Sequence, residues 1–133
     1  MKIFLDTNIV LDFLNADRVK HKISVRLIET LVSNNYQIII SEDMLSTIFY
    51  LSKNKQQTLS NLNVIQQEWY ISVFGEEVIK NAIDLSITNN LDLEDTLQCL
   101  CAKQNNCDAL ITSDKYFYDC GIKIQTADEF LNA

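Results

Sequence analysis

The chain has 133 residues, 47% of them hydrophobic, and a formal net charge of -7, which fits a single domain over residues 1–133 with a core of its own. That acidity excludes a protein that holds nucleic acid by bulk neutralisation of phosphates, a task that needs a basic surface. No apolar run is long enough to cross a bilayer, and the first segment lacks a basic region followed by a small-residue cleavage site. A soluble cytoplasmic protein with no membrane partner is therefore predicted.

In chain order, KIFL reads as a strand that stops abruptly on Asp6, and residues 7–14 read as a helix with Ile9, Val10, Phe13 and Leu14 on its apolar side. A second helix is predicted over 24–34, with Val25, Leu27, Ile28, Leu31 and Val32 inward, before the β-branched strand YQIII at 36–40. Ser41 has the chemistry of an N-cap for the helix EDMLSTIFYLSK. Residues 56–67 read as helical, 69–73 as a strand, and 76–90 as a helix with Val78, Ile79, Ala82 and Ile83 or Leu85 inward. A further helix starts at Asp92 or Leu93, strands follow at 109–112 and 122–126, and ADEFLN closes the chain with a helical turn. Strands separated by helices call for right-handed crossovers, so the fold class is α/β: a mostly parallel, Rossmann-like sheet flanked by helices in an α/β/α sandwich. The strands are apolar without alternation, as in a sheet buried on both faces.

Four cysteines, Cys99, Cys101, Cys107 and Cys120, match no common zinc spacing, and His21 is the only imidazole. They are expected to be reduced thiols, mostly packed. The stretch RVKHKISVR places Arg18, Lys20, Lys22 and Arg26 within nine residues. It reads either as a solvated helix face or as a local patch for a nucleic-acid backbone.

The carboxylates carry more information. In an open parallel sheet the functional crevice lies outside the carboxyl ends of the strands, and Asp6 and Asp114 both follow strands. Asp92, Glu94 and Asp95 open the helix in LDLEDTLQ; Asp92, Asp95 and Cys99 share a face, whereas Glu94 is expected to point elsewhere. Singly, each acid has a plain structural role as a cap, a dipole partner or a turn former. Gathered at one end of a sheet they repel one another unless a cation neutralises them, and only Lys115 is adjacent in sequence. A hard, oxygen-liganded divalent ion fills that role.

FLDTNIVLDFL, LDLEDTLQ, LITSDKYF and the terminal IQTADEFL, in this order, resemble the PIN-domain family, especially its VapC-like toxin nucleases. The resemblance covers essentially the whole chain. It implies a metal-dependent ribonuclease that hydrolyses RNA phosphodiester bonds with one or two Mg²⁺ or Mn²⁺ ions. It implies Asp6, Asp95 and Asp114 as catalytic metal ligands, with Asn8 and Thr112 in support. It also implies a cognate antitoxin protein as partner and a homodimer. The family's glutamate in the helix after the second strand is replaced here by Thr47. Asp43 one turn earlier, Glu94 or Asp92 can compensate, or catalysis is lost and the chain acts as a binding module for RNA or a protein partner. A nucleotide-binding α/β protein is disfavoured, because no Gly-rich phosphate loop exists.

Overall fold

Ile3, Phe4 and Leu5 are completely shielded from solvent, which is possible for consecutive strand residues only when both faces of the sheet are covered. They form β1 (Lys2–Leu5), the central strand in a computed structural model that describes residues 1–133. The chain continues through α1 (Thr7–Leu14), α2 (His21–Ser33), β2 (Gln37–Ser41), α3 (Asp43–Leu51), α4 (Lys55–Glu68) and β3 (Tyr70–Ser72). It ends with α5 (Gly75–Asn89), α6 (Leu93–Gln104), β4 (Ala109–Ile111), β5 (Lys123–Gln125) and α7 (Ala127–Leu131). All five strands are parallel, in the order β3-β2-β1-β4-β5. The α/β class and the parallel sheet agree with the sequence reading.

The winding reverses between β1 and β4. Phe4 pairs with both Ile39 of β2 and Leu110 of β4, so the chain moves outward from β1 in one direction and later resumes on its other side. Such a switch point opens a crevice at the carboxyl ends of the two central strands. Asp6 follows β1 there, and Thr112 follows β4.

Packing explains most departures from the predicted elements. α2 begins at His21, three residues earlier than expected, without a side-chain cap. Ser41 is no cap: it closes β2, and its hydroxyl donates to the Asp43 carboxylate, while Glu42 takes the N-cap position of α3. Val32 and Ile79, predicted inward, are exposed, and of the alternatives Ile83 and Leu85 it is Leu85 that is partly buried. Helices end without glycine at Asn35, Asn90 and Asn106, each with positive φ, because asparagine tolerates the left-handed conformation better than other non-glycine residues.

The expectation of four free thiols is corrected. Cys99 of α6 and Cys120 in the β4–β5 connection form a disulfide with Cα atoms 6.0 Å apart, while Cys101 and Cys107 are free and buried. Gly121, with φ of +105°, turns the chain immediately after Cys120.

Candidate metal centre in the acidic cleft

Asp6 lies at the switch point because β1 ends there and α1 begins on the next residue. Its carboxylate accepts from the Thr7 backbone N–H at 2.7 Å and from Thr112 Oγ1 at 2.8 Å. It is thus the helix cap its sequence suggests, yet only 5% of its surface is exposed. Burial, partly offset by these two hydrogen bonds and reinforced by Glu94 and Asp114, pushes its pKa up to about 6. Thr112 ties the cleft together, since its Oγ1 also accepts from the Asp114 backbone N–H at 3.1 Å.

The first turn of α6 brings three more acids. Asp92 is its N-cap and accepts from the Asp95 N–H at 3.0 Å. Asp95 makes no side-chain hydrogen bond or ion pair. Burial first, then the negative charges of Asp92, Asp6, Asp114 and Glu94, push its carboxyl up to about 7. Glu94 does not point away, as its position relative to Asp92 and Asp95 implied. Its Oε1 accepts from Thr7 Oγ1 at 3.3 Å and from Gln98 Nε2 at 3.4 Å, because a glutamate side chain reaches back along the face it shares with residue 98, one turn on. Asp114 stands more openly after β4, accepting from the Tyr116 N–H at 2.9 Å.

Other sequence candidates fall outside this group. Asp43 is engaged by Ser41, and its charge helps burial to push up the Cys101 thiol. It is not among the charges that bear on Asp6 or Asp95. Thr47 is exposed, and its hydroxyl donates back to the Asp43 carbonyl at 3.4 Å. Asn8 faces solvent and accepts from Arg18 at 3.5 Å. Arg18 is held by the buried Asp12, with Nε 2.6 Å from Oδ1, so it is not a free member of the basic stretch. Lys20, Lys22 and Arg26 are exposed and unpaired. Sequence reasoning missed Thr7 and Gln98. Their signal was membership of quoted motifs, Thr7 in FLDTN and Gln98 at the end of LDLEDTLQ, to which no role was assigned.

The chemistry of this donor set suits a hard divalent cation. The chain contains only two ion pairs, Arg18–Asp12 and Lys80–Asp84, so no cleft carboxylate has a cationic side chain for a partner. Burial first, and neighbouring carboxylates after it, push Asp6 up to about 6 and Asp95 up to about 7, so ionising both is costly unless a cation is at hand. No three acids close into a tight ligand cage. This arrangement matches an ion that keeps several waters and takes only one or two direct carboxylates.

Residues 3–123 match the family model described as PIN domain. Ribonuclease VapC1 of Aquifex aeolicus (strain VF5) is 37% identical over 133 residues, which takes in 97% of this chain and 92% of that protein. Among solved structures, VapBC2 from Rickettsia felis, bound to a DNA fragment from its promoter, superposes with a TM-score of 0.73 at 24% identity, covering 95% of this chain and 98% of that one. VapC20 of Mycobacterium tuberculosis, described as a Sarcin-Ricin loop cleaving toxin, gives a TM-score of 0.73 at 12% identity, with 90% and 95% covered. The family model and the VapC1 match, each spanning most of the sequence, establish that the chain belongs to the PIN-domain family.

Proposed function

We propose that this chain is a divalent-metal-dependent ribonuclease and the toxin of a toxin–antitoxin pair, with Asp6, Asp95 and Asp114 holding Mg²⁺ or Mn²⁺ directly or through water. The observation that carries this reading is the convergence of uncompensated carboxylates at the switch point between β1 and β4. A bound divalent ion supplies an activated water and polarises a phosphoryl oxygen. The protein's part is orientation. Thr112 and the Thr7 N–H fix the Asp6 carboxylate, Asp92 anchors the first turn of α6 through the Asp95 N–H, and the Tyr116 N–H holds Asp114 in its turn. Lys20, Lys22 and Arg26, exposed near the start of α2, provide local positive charge to steer an RNA backbone in an otherwise acidic molecule.

The protein acts in the cytoplasm, where RNA is available; no helix is long and apolar enough to cross a membrane. An antitoxin partner is supported by a fold neighbour described as a toxin–antitoxin complex from Klebsiella pneumoniae. A homodimer is supported by the exposed Ile79, Ile83 and Ile87, which recur every fourth residue along α5. A second reading, a binding module without catalysis, is favoured by Thr47, which leaves α3 without the carboxylate the family normally has there.

One assay separates the two. Unstructured single-stranded RNA is incubated with wild type and with the Asp6→Asn/Asp114→Asn double variant, across Mn²⁺ and Mg²⁺ concentrations and with a chelator. Wild type is expected to cleave only with metal, and the double variant not at all. Wild-type cleavage no faster than that of the double variant would overturn the nuclease reading and leave the binding module.

A further inference from the structure

We propose that Glu94 supplies the carboxylate that α3 lacks at Thr47, and that Gln98 and Thr7 are positioning residues that hold Glu94 toward the metal centre. The inference rests on the metal-dependent reading above. It concerns which fourth acid completes that site.

Three carboxylates were available to compensate for Thr47, and their contacts separate them. Asp43 is turned to the Ser41 hydroxyl. Asp92 is committed as the cap of α6, its Oδ1 receiving the Asp95 N–H at 3.0 Å. Glu94 alone has a side-chain support and adds charge at both Asp6 and Asp95. Thr7, adjacent to Asp6 in the chain, donates its hydroxyl to Glu94 Oε1 at 3.3 Å. The Thr7 oxygen in turn accepts from Gln98 Nε2 at 2.9 Å, and the same Nε2 lies 3.4 Å from Glu94 Oε1. A carboxylate can only accept, so the Thr7 proton and the Gln98 amide group must both be donors toward it. This fixes the orientation of the amide. The opposite end, Gln98 Oε1, is then left buried without a partner in a residue that has no exposed surface.

That orphan acceptor is informative. An unpartnered buried carbonyl weakens the fold, and a methionine would fill similar space without one. Core packing therefore does not call for glutamine at 98, whereas steering Glu94 does. The support binds only Oε1 of Glu94, leaving its second carboxylate oxygen for a hydrated ion. Glu94 also adds negative charge at both Asp6 and Asp95, so it belongs to the same electrostatic cluster. The arrangement is the one expected of a ligand oriented by outer hydrogen bonds.

The test uses the full chain and Mn²⁺ alone, with binding measured from the electron paramagnetic resonance signal of free Mn²⁺ and from the metal-induced rise in Tm. Glu94→Gln is expected to weaken Mn²⁺ binding by about 10-fold or more, and Gln98→Met, which keeps Glu94 but removes one of its two donors and the amide that holds Thr7, by about 10-fold. Glu68→Gln removes the same charge from distant α4 and is expected to change binding less than about 2-fold, which sets the scale of bulk electrostatics. Circular dichroism on each variant establishes that it is folded before titration. If Glu94→Gln and Gln98→Met bind Mn²⁺ as wild type does while Asp6→Asn/Asp114→Asn does not, the Glu94 assignment is overturned and the metal-dependent reading stands. If wild type itself binds no Mn²⁺, both are overturned.

Discussion

Asp95 carries a charge whose cost depends on pH. Unfolded, its carboxyl titrates near the ordinary value of about 3.9; folded, it is pushed up to about 7. Below about pH 4 both states are protonated and the shift has no effect on stability. As pH rises from there, the folded state holds its proton longer than the unfolded one, so native stability falls until the folded carboxyl has ionised above about pH 7. Asp6, pushed up to about 6, adds a loss of the same sign over a narrower window, on the order of 3 kcal/mol when complete. Asp95→Asn, which sacrifices no side-chain hydrogen bond, is therefore expected to melt higher than wild type at pH 8 without metal, with the difference vanishing near pH 4. Mn²⁺ should raise the wild-type Tm much more than that of the variant. A variant that melts lower than wild type at pH 8 would show that Asp95 serves the fold instead. Residue by residue, the three aspartates could be read from short motifs and strand polarity. Thr7 and Gln98 stand inside the same motifs, but their role could not be read, because it is a hydrogen bond across 91 residues of sequence.

At the scale of elements, the two segments that supply Asp95 and Asp114 are joined covalently, since Cys99 lies on α6 and Cys120 in the connection that follows Asp114. Cross-linking across 21 residues of separation removes conformational freedom from the unfolded chain worth about 3 kcal/mol. Cys120→Ser, or treatment with a dithiol reductant, is expected to lower Tm by roughly 10 °C, measured by calorimetry with and without the reductant. An unchanged Tm would mean that the pair is not joined in solution. The elements themselves were largely legible from hydrophobic periodicity, and the helix caps Asp6, Asp92 and Thr126 follow ordinary side-chain chemistry. The start of α2 was not, because nothing caps it: His21 Nδ1 instead lies 2.8 Å from the Asp12 carbonyl, a contact between two helices. The disulfide was equally hidden. Its spacing matches no framework, and a chain read as cytoplasmic argues against one.

Across the whole molecule, one contiguous core runs from Ile3 through Ile39, Cys101 and Leu110 to Ala127. The chain is therefore expected to unfold as a single cooperative unit over residues 1–133, with far-UV and near-UV dichroism giving coincident urea transitions at a fixed metal concentration and redox state. Separate midpoints would divide the molecule into independently folding parts. Alternation of strands and helices predicted the parallel sheet, but not the order β3-β2-β1-β4-β5. That order depends on which strands bury the most surface between them: β1, β2 and β4, nearly all of whose residues are buried, take the interior, while β3 and β5, with exposed and half-buried residues, become edges.

The switch point also sets a clock on synthesis. Asp6 is made first, and Thr112, which holds its carboxylate, is 106 residues further along. At about 5–20 residues per second, translation separates the two by roughly 5–20 s. Throughout that interval the nascent chain has Asp6 and Thr7 but neither Thr112 nor Asp114. With Asp6 and Asp114 in their proposed roles, a ribonuclease built in this order gains its site only when β4 has been made and has docked beside β1.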